Sequence, residues 1–443
     1  MTVTDSTPTQ LEIPRARADV MAMARQIGEA AAPHAARHDR EASFVEEGFE
    51  AIRALGYGVI AVPTELGGAG HDLDTVCQAQ ALLARFCANT SLAIAMHQHN
   101  VLAMAWRWRL GDRAVEQTLR RIATGELILS SSGSADPANP GVTARPVEGG
   151  LLVTGGKRFV SGVPGADVVL TMARVEDGDQ RWTTTVMIPT SDPGTEIVDD
   201  WDSMGMRGSG SNPVRFTEVF VPDANILEFE RLGLLTGHFP GRRRGNRPGG
   251  PPGHRPGSPA GDVADDQAGG PRGNGAGGRA TAEAEVRRID GHRIPALQIA
   301  LPVIAAVYLG AAGAMRDRAM RMAAARSTDD PTQQRIAGLL TQEFRSARWA
   351  LDALIASTTD DSLGTEGQFI TTMLAKRQVI LSSIRVVELS MELLGSRTYM
   401  RALPFEQALR DVRAGITHPL APEKTLLEVG KSALEFFADQ PPA

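Results

Sequence analysis

Four histidines and two hydroxyl-rich runs carry the residue types and spacings that could do chemistry in this 443-residue chain. His34 and His38 stand four apart in a stretch that reads as helix, a spacing that can bring two imidazoles to one metal ion. No HExxH glutamate and no third ligand accompanies them, so a solvated helix face is expected, and no metal. His97 and His99 lie on an apolar segment and would face different ways on a helix, so at most one lines a pocket. Ser130-Ser131-Ser132-Gly133-Ser134 is the first hydroxyl-rich run; the second is the loop Trp201-Asp202-Ser203-Met204-Gly205-Met206-Arg207-Gly208-Ser209-Gly210-Ser211. Small residues let a backbone approach a ligand closely, and hydroxyls can donate to polar ring edges. Gly67-Gly68-Ala69-Gly70 lacks the preceding strand, the GxGxxG spacing and the acidic partner of a dinucleotide site, and reads as a plain turn. No GxxxxGK[ST] and no GxSxG is present, which removes P-loop chemistry and argues against a serine hydrolase. Cys77 and Cys87 read as two buried thiols on one helical segment, unable to pair, in a reducing compartment.

The elements that must position these residues change character along the chain. Residues 16–37, 44–55, 74–86, 92–108 and 113–123 have helical spacing of apolar positions, with Pro63 and the glycine turn between them. From Leu127 short β-branched runs alternate with turns. Leu151 to Thr154 and Lys157 to Ser161 flank Gly155-Gly156 as an expected hairpin, and 168–174, 182–189 and 214–221 read as further strands. Helix returns at Pro295 in the blocks 296–326, 332–358, 366–395, 404–413 and 423–438. The expected fold is α+β and multidomain: a helical N-terminal domain (15–126), a central β-barrel or sandwich (127–229) and a C-terminal four-helix bundle (293–440). Between the last two lies 230–292. From Gly241 to Ala280 roughly two residues in three are Gly, Pro or Arg, so this insert is expected to be disordered and to be cut first by proteases.

Composition narrows the function. A net charge of -6 gives no general attraction to nucleic acid, and 5% aromatic residues leave few base-stacking platforms. The first twenty residues have no basic and apolar signal pattern, and a cytoplasmic protein is expected. Ile294 to Met315 carries no charge and is about long enough to span a bilayer. Its prolines, Gln298, the alanines and the Arg316-Asp317-Arg318 that follows point instead to a buried bundle helix, with no membrane span.

Four segments, in order, resemble the acyl-CoA dehydrogenase superfamily. They are Pro63 to Gly70, Gly149 to Gly162 (GGLLVTGGKRFVSG), the Asp202 to Ser211 loop running into Val214 to Pro222, and Leu403 to Arg413 (LPFEQALRDVR). The resemblance covers about 40–229 and 293–440. It implies FAD held between the β domain and the bundle, a homodimer or homotetramer, and an acyl-CoA or other small-molecule substrate. An electron-transfer flavoprotein or a flavin reductase would be the redox partner. It maps flavin contacts onto Ser130, Ser132, Phe159 and Ser161, a diphosphate-contacting arginine onto Arg326, and the Gln-x-x-Gly-Gly element onto Glu392 and Gly395.

The family's catalytic glutamate has no counterpart. One of its two positions falls on Pro419 and the other near Ala300, and neither can accept a proton. Ile416-Thr417-His418-Pro419 resembles instead the flavin monooxygenase branch of the same fold, where a histidine stands near the flavin. That implies a catalytic role for His418, which can hold a proton near neutral pH. The leading expectation from the resemblance is α,β-dehydrogenation of an acyl-CoA thioester. The alternatives are a reduced-flavin-dependent monooxygenase and a non-catalytic degenerate subunit.

Overall fold

The computed structural model describes residues 13–132, 141–177, 180–227 and 296–438, so the expected disordered insert at 230–292 lies outside the described residues. Among the described residues six helices come first: α1 (Arg17–Ala31), α2 (Ala35–Glu41), α3 (Glu46–Leu55), α4 (Leu73–Ala84), α5 (Ala88–Arg109) and α6 (Glu116–Ala123). The Asp72 carboxylate caps α4 by accepting the Thr75 N–H at 2.9 Å. Cys87 stands at the N-cap of α5, with its sulfur facing the Thr90 N–H. The two cysteines therefore sit on consecutive helices rather than one, both buried and free.

The middle of the chain forms one mixed sheet of β1 (Leu129–Ser132), β2 (Val142–Val147), β3 (Gly150–Lys157), β4 (Val168–Asp177), β5 (Gln180–Pro189), β6 (Thr195–Ile197), β7 (Val214–Pro222) and β8 (Ile226–Leu227). The ladder runs β6-β7-β3-β2-β4-β5-β8. β1 and β2 share one edge of β4, both parallel to it: Ser132 pairs with Thr171, and Thr143 with Arg174. Val153, Val169, Val175, Val186, Ile188, Val214 and Phe216 fill a core of the sheet's own.

The hairpin expected at Gly155-Gly156 is not there. β3 runs straight through both glycines, and the turn lies before it, between Val147 and Gly150. Gly155 instead marks an irregularity in the pairing with β7, at φ +135°, where an added Cβ would lie 2.4 Å from the Gly141 carbonyl oxygen.

The C-terminal part holds α7 (Ala296–Ala324), α8 (Pro331–Ala356), α9 (Gly364–Leu394), α10 (Phe405–Arg413) and α11 (Pro422–Ala438). α7, α8 and α9 pack on one another and α11 lies along α9. The apolar stretch that could cross a membrane by length is α7, and 83% of its apolar window is buried inside the molecule. α4 and α5 cover it on the N-terminal side. At Gly310 the backbones nearly touch, since a Cβ there would stand 2.1 Å from the Ala81 carbonyl oxygen. One core runs from Val20 and Ile27 of the N-terminal helices through Tyr308 to Val387 and Val412.

Candidate functional site

β1 is fixed from below by α5. The buried His97 accepts the Leu129 N–H on Nδ1 at 3.0 Å and donates from Nε2 to the Gly58 carbonyl at 2.8 Å. Burial pushes its pKa down to about 4, so it is a neutral strut, with both nitrogens committed. His99 faces the Ser131 hydroxyl at 3.4 Å and is also lowered to about 4, by burial and then by His97.

On β1, Ser130 donates to the Ser161 carbonyl at 2.7 Å, and the two chains bridge at Ser131 and Ser161. Ser161 in turn bonds Ser211 (2.8 Å), which bonds Ser209 (2.7 Å). The two hydroxyl-rich runs of the sequence thus converge on one wall. The buried Ser132 hydroxyl has no partner among the described residues. In front of this wall Phe159 is 60% exposed and stands edge-on to Trp201, with ring centroids 5.3 Å apart. An exposed aromatic beside converging hydroxyls is a platform for a planar, polar-edged ring.

The 201–211 loop continues from this wall to the bundle. Trp201 Nε1 donates to the Met206 carbonyl at 2.9 Å, and the Met206 N–H donates to Asp411 at 2.5 Å. Arg410 forks onto Asp39 at 2.8 and 2.6 Å and also bonds Glu406 and the Met204 carbonyl. Arg207 donates to the Asp39 carbonyl at 2.6 Å, and the Gly208 N–H to Asn89 at 3.0 Å. α2, α5 and α10 therefore clamp the loop from three sides. Asp411 is buried, and that burial raises its carboxyl to about 7.

Beyond Asp411 lies His418, half-buried and 2.6 Å from the Tyr308 hydroxyl through Nε2. Burial, then the nearby Lys376 ammonium, push the imidazole down to about 4. Burial also keeps the proton on Tyr308, above its ordinary value. A neutral histidine and a protonated phenol can pair in either sense, because a phenol oxygen both donates and accepts. Where Tyr308 donates to Nε2, the imidazole proton is on Nδ1. The buried Lys376 ammonium donates to the carbonyls of His418 (2.8 Å) and Leu420 (3.0 Å).

The mapped residues form two groups. Ser130, Ser132, Phe159 and Ser161 line the wall just described. Arg326 donates to the Leu394 carbonyl at 3.2 Å, next to Gly395, and Glu392 lies near Arg335 and Arg385. Leu394 is eighteen residues up α9 from Lys376, about 27 Å at 1.5 Å per residue.

Other expectations fare differently. The Gly67–Gly70 turn spends all four of its N–H groups on carbonyls of residues 59–64, leaving none for a phosphate. His38 is buried, not solvated, and bonds Glu47 at 2.7 Å and Ser43 at 2.8 Å, while His34 lies 3.2 Å from the same Glu47. Among the described residues no group of His, Cys, Asp or Glu could hold a metal. Sequence reading missed Tyr308 and Lys376. The signal for Lys376 was present: it shares a buried stripe with Thr372, Val379 and Ser383, where a lysine is out of place.

Comparison with known proteins places this arrangement. Residues 16–126 match the acyl-CoA dehydrogenase N-terminal domain and 130–219 the middle domain. YdbM of Bacillus subtilis (strain 168), provisionally named an acyl-CoA dehydrogenase, is 25% identical over 415 residues, 90% of this chain and 93% of YdbM. L-evernosamine nitrososynthase of a Micromonospora species is 33% identical over 200 residues, 44% of this chain and 48% of that one. The solved structure of KijD3 with FMN and dTDP-3-amino-2,3,6-trideoxy-4-keto-3-methyl-D-glucose superposes with a TM-score of 0.72 at 23% identity, covering 97% of both chains. With its helical, sheet and helical parts in this order, the chain has the acyl-CoA dehydrogenase-like fold, and its N-terminal and middle domains match that superfamily.

Proposed function

We propose that this chain is a reduced-flavin-dependent monooxygenase that oxygenates a nucleophilic nitrogen or sulfur of a small organic substrate. The observation that carries this reading is His418, 2.6 Å from the Tyr308 hydroxyl through Nε2, where the dehydrogenase reading needs a carboxylate base; we assign Tyr308 as the donor, which leaves His418 an Nδ1–H donor. Pro419 and Ala300 stand at the two glutamate positions, and Glu423, four residues past Pro419, is exposed on the first turn of α11. Asp411 is committed to the Met206 N–H. The nitrososynthase and the KijD3 amino-sugar complex support a nitrogen substrate.

The residues present fit a flavin. Phe159 and Trp201 offer the ring platform, Ser161 and Ser211 the hydroxyls, and the orphaned Ser132 hydroxyl a donor that lacks a partner. FMN is the form bound in KijD3, whereas the resemblance implies FAD; both share the ring this wall would hold. Arg326, Glu392 and Gly395 would then serve the flavin of a second subunit in a homodimer or homotetramer. When bound in its reduced form, the flavin supplies the electrons that split dioxygen, one atom going to the substrate and one to water. The chain's own part is to seat the ring against the hydroxyl wall and to screen it from water with Trp201 and Met206. His418 Nδ1–H then stabilises charge developing on oxygen.

The test supplies reduced FMN or FAD from a flavin reductase and follows oxygen-18 incorporation into a panel of amines and thioethers. Labelled product supports the proposal. Anaerobic bleaching of bound flavin by an acyl-CoA ester overturns it. That second outcome would restore the dehydrogenase reading, which the near full-length match to YdbM favours.

A further inference from the structure

We propose that Lys376 is a positioning residue for His418, tying down the backbone at 418–420 so that the imidazole presents its Nδ1–H to the site. This rests on the donor role given to His418 above. Lys376 is only 2% exposed. Among the described residues its ammonium meets two carbonyl oxygens and no carboxylate. Burying a cation without an opposite charge is costly, and a methionine or leucine would fill the same space without that cost. The ammonium must therefore supply something an apolar chain cannot.

What it supplies is visible in its partners. Residues 418–420 belong to no helix or strand, and Pro419 has no N–H to contribute. The segment sits between a short helical turn ending at Thr417 and α11 beginning at Pro422. Two charge-assisted bonds from one ammonium hold the carbonyls on either side of Pro419. Tyr308 fixes the ring and Lys376 fixes the backbone that carries it. Burial lowers Lys376 to about 8, so the hold weakens in the mildly alkaline range. Among the described residues the titratable group that faces it is His418, whose imidazole its charge lowers, and Tyr308 from α7 bonds that ring. Glu423 and Lys424 are exposed on the first turn of α11, and Glu343 of α8 is engaged by Ser382 further along α9.

The experiment uses the full-length chain labelled with nitrogen-15 histidine, without added flavin, and assigns His418 through His418→Gln. In the wild-type chain His418 should show protonated Nδ1 and bare Nε2 at pH 7 and pass to a tautomer mixture as pH rises through about 8. Lys376→Met should show the mixture at every pH, and Lys376→Arg should restore the single tautomer. With a turnover assay in hand, Lys376→Met should lower kcat at least tenfold with flavin affinity within twofold. It should also lose the alkaline limb near pH 8. A Lys376→Met chain with the wild-type tautomer and pH profile overturns the proposal. If that variant fails to fold, a wild-type His418 signal unchanged between pH 7 and 9.5 overturns it instead. Because the spectrum needs no substrate, an absence of turnover with every amine and thioether would sink the monooxygenase reading and leave the Lys376 test standing.

Discussion

Replacing Tyr308 by Phe removes one oxygen from a fully buried side chain and leaves the ring, so no cavity opens. What is lost is the hydrogen bond to His418 Nε2, in which we assign Tyr308 as the donor. The net value of such a bond is about 0.5–1.5 kcal/mol. At 1.36 kcal/mol per decade this corresponds to a fall in turnover of about 2- to 13-fold, as the imidazole divides between its two tautomers. Flavin affinity should stay within twofold, because Tyr308 is behind His418 and not on the Phe159 wall. The assay is product formation with saturating reduced flavin, with hydrogen peroxide measured in parallel. Peroxide should rise as product falls, since a missing donor uncouples oxygen reduction from transfer. The same substitution in a His418→Ala background should have no further effect on turnover, because the pair acts as one unit. Unchanged kcat in Tyr308→Phe, or additive effects in the double variant, would refute the assignment of His418 as a donor set by Tyr308.

Phe159→Ala removes an exposed ring, so thermal stability should hold while the dissociation constant of the flavin rises about tenfold, checked by fluorescence titration; stacking of this kind is worth about 0.5–1.5 kcal/mol. Asp39→Ala leaves the half-buried Arg410 fork without its bidentate partner and should destabilise the chain by about 2–3 kcal/mol in denaturant melts, less than a fully buried pair would cost. Asp411→Asn keeps an acceptor for Met206 but cannot ionise. The folded pKa of Asp411 is raised to about 7, so its contribution is present below about pH 4 and lost as pH rises through 7. The variant should therefore gain stability relative to wild type between pH 4 and 8, and a pH-independent difference would reject the assigned shift.

The fold was readable because it changes period. Helical spacing to residue 123, alternation from 127 and helical spacing again after 295 are local properties of the text, and they survive in α1–α6, the sheet and α7–α11. The error at Gly155-Gly156 has a local cause too. A glycine pair signals a turn, but here the pairing on both edges of β3 continues and only an irregularity results. The wall of the site was half legible. Ser130, Ser132 and Ser161 were marked by composition and resemblance, while the bonds among Ser161, Ser211 and Ser209 depend on a loop fifty residues away. His38 was misjudged because its partner Glu47 lies on the next helix, where no spacing rule reaches. The Tyr308–His418 bond spans 110 residues, and the bonds from Lys376 span 42 and 44. Such contacts exist only after α7, α9 and α10 have packed.

The shared core of α4 and α7 has a consequence for the chain during its synthesis. Arg85 and Asp317, which pair across that core, are 232 residues apart. At about 5–20 residues per second, the face of α4 that meets α7 leaves the ribosome roughly 10–50 s before its cover exists. For that interval the N-terminal helices present Val76, Leu83 and the Ala81 carbonyl to solvent, while the sheet, with its own core, has everything it needs to form. The nascent chain should therefore order its middle first and require a chaperone to shield its beginning. Its two helical ends would then fold as a single late event.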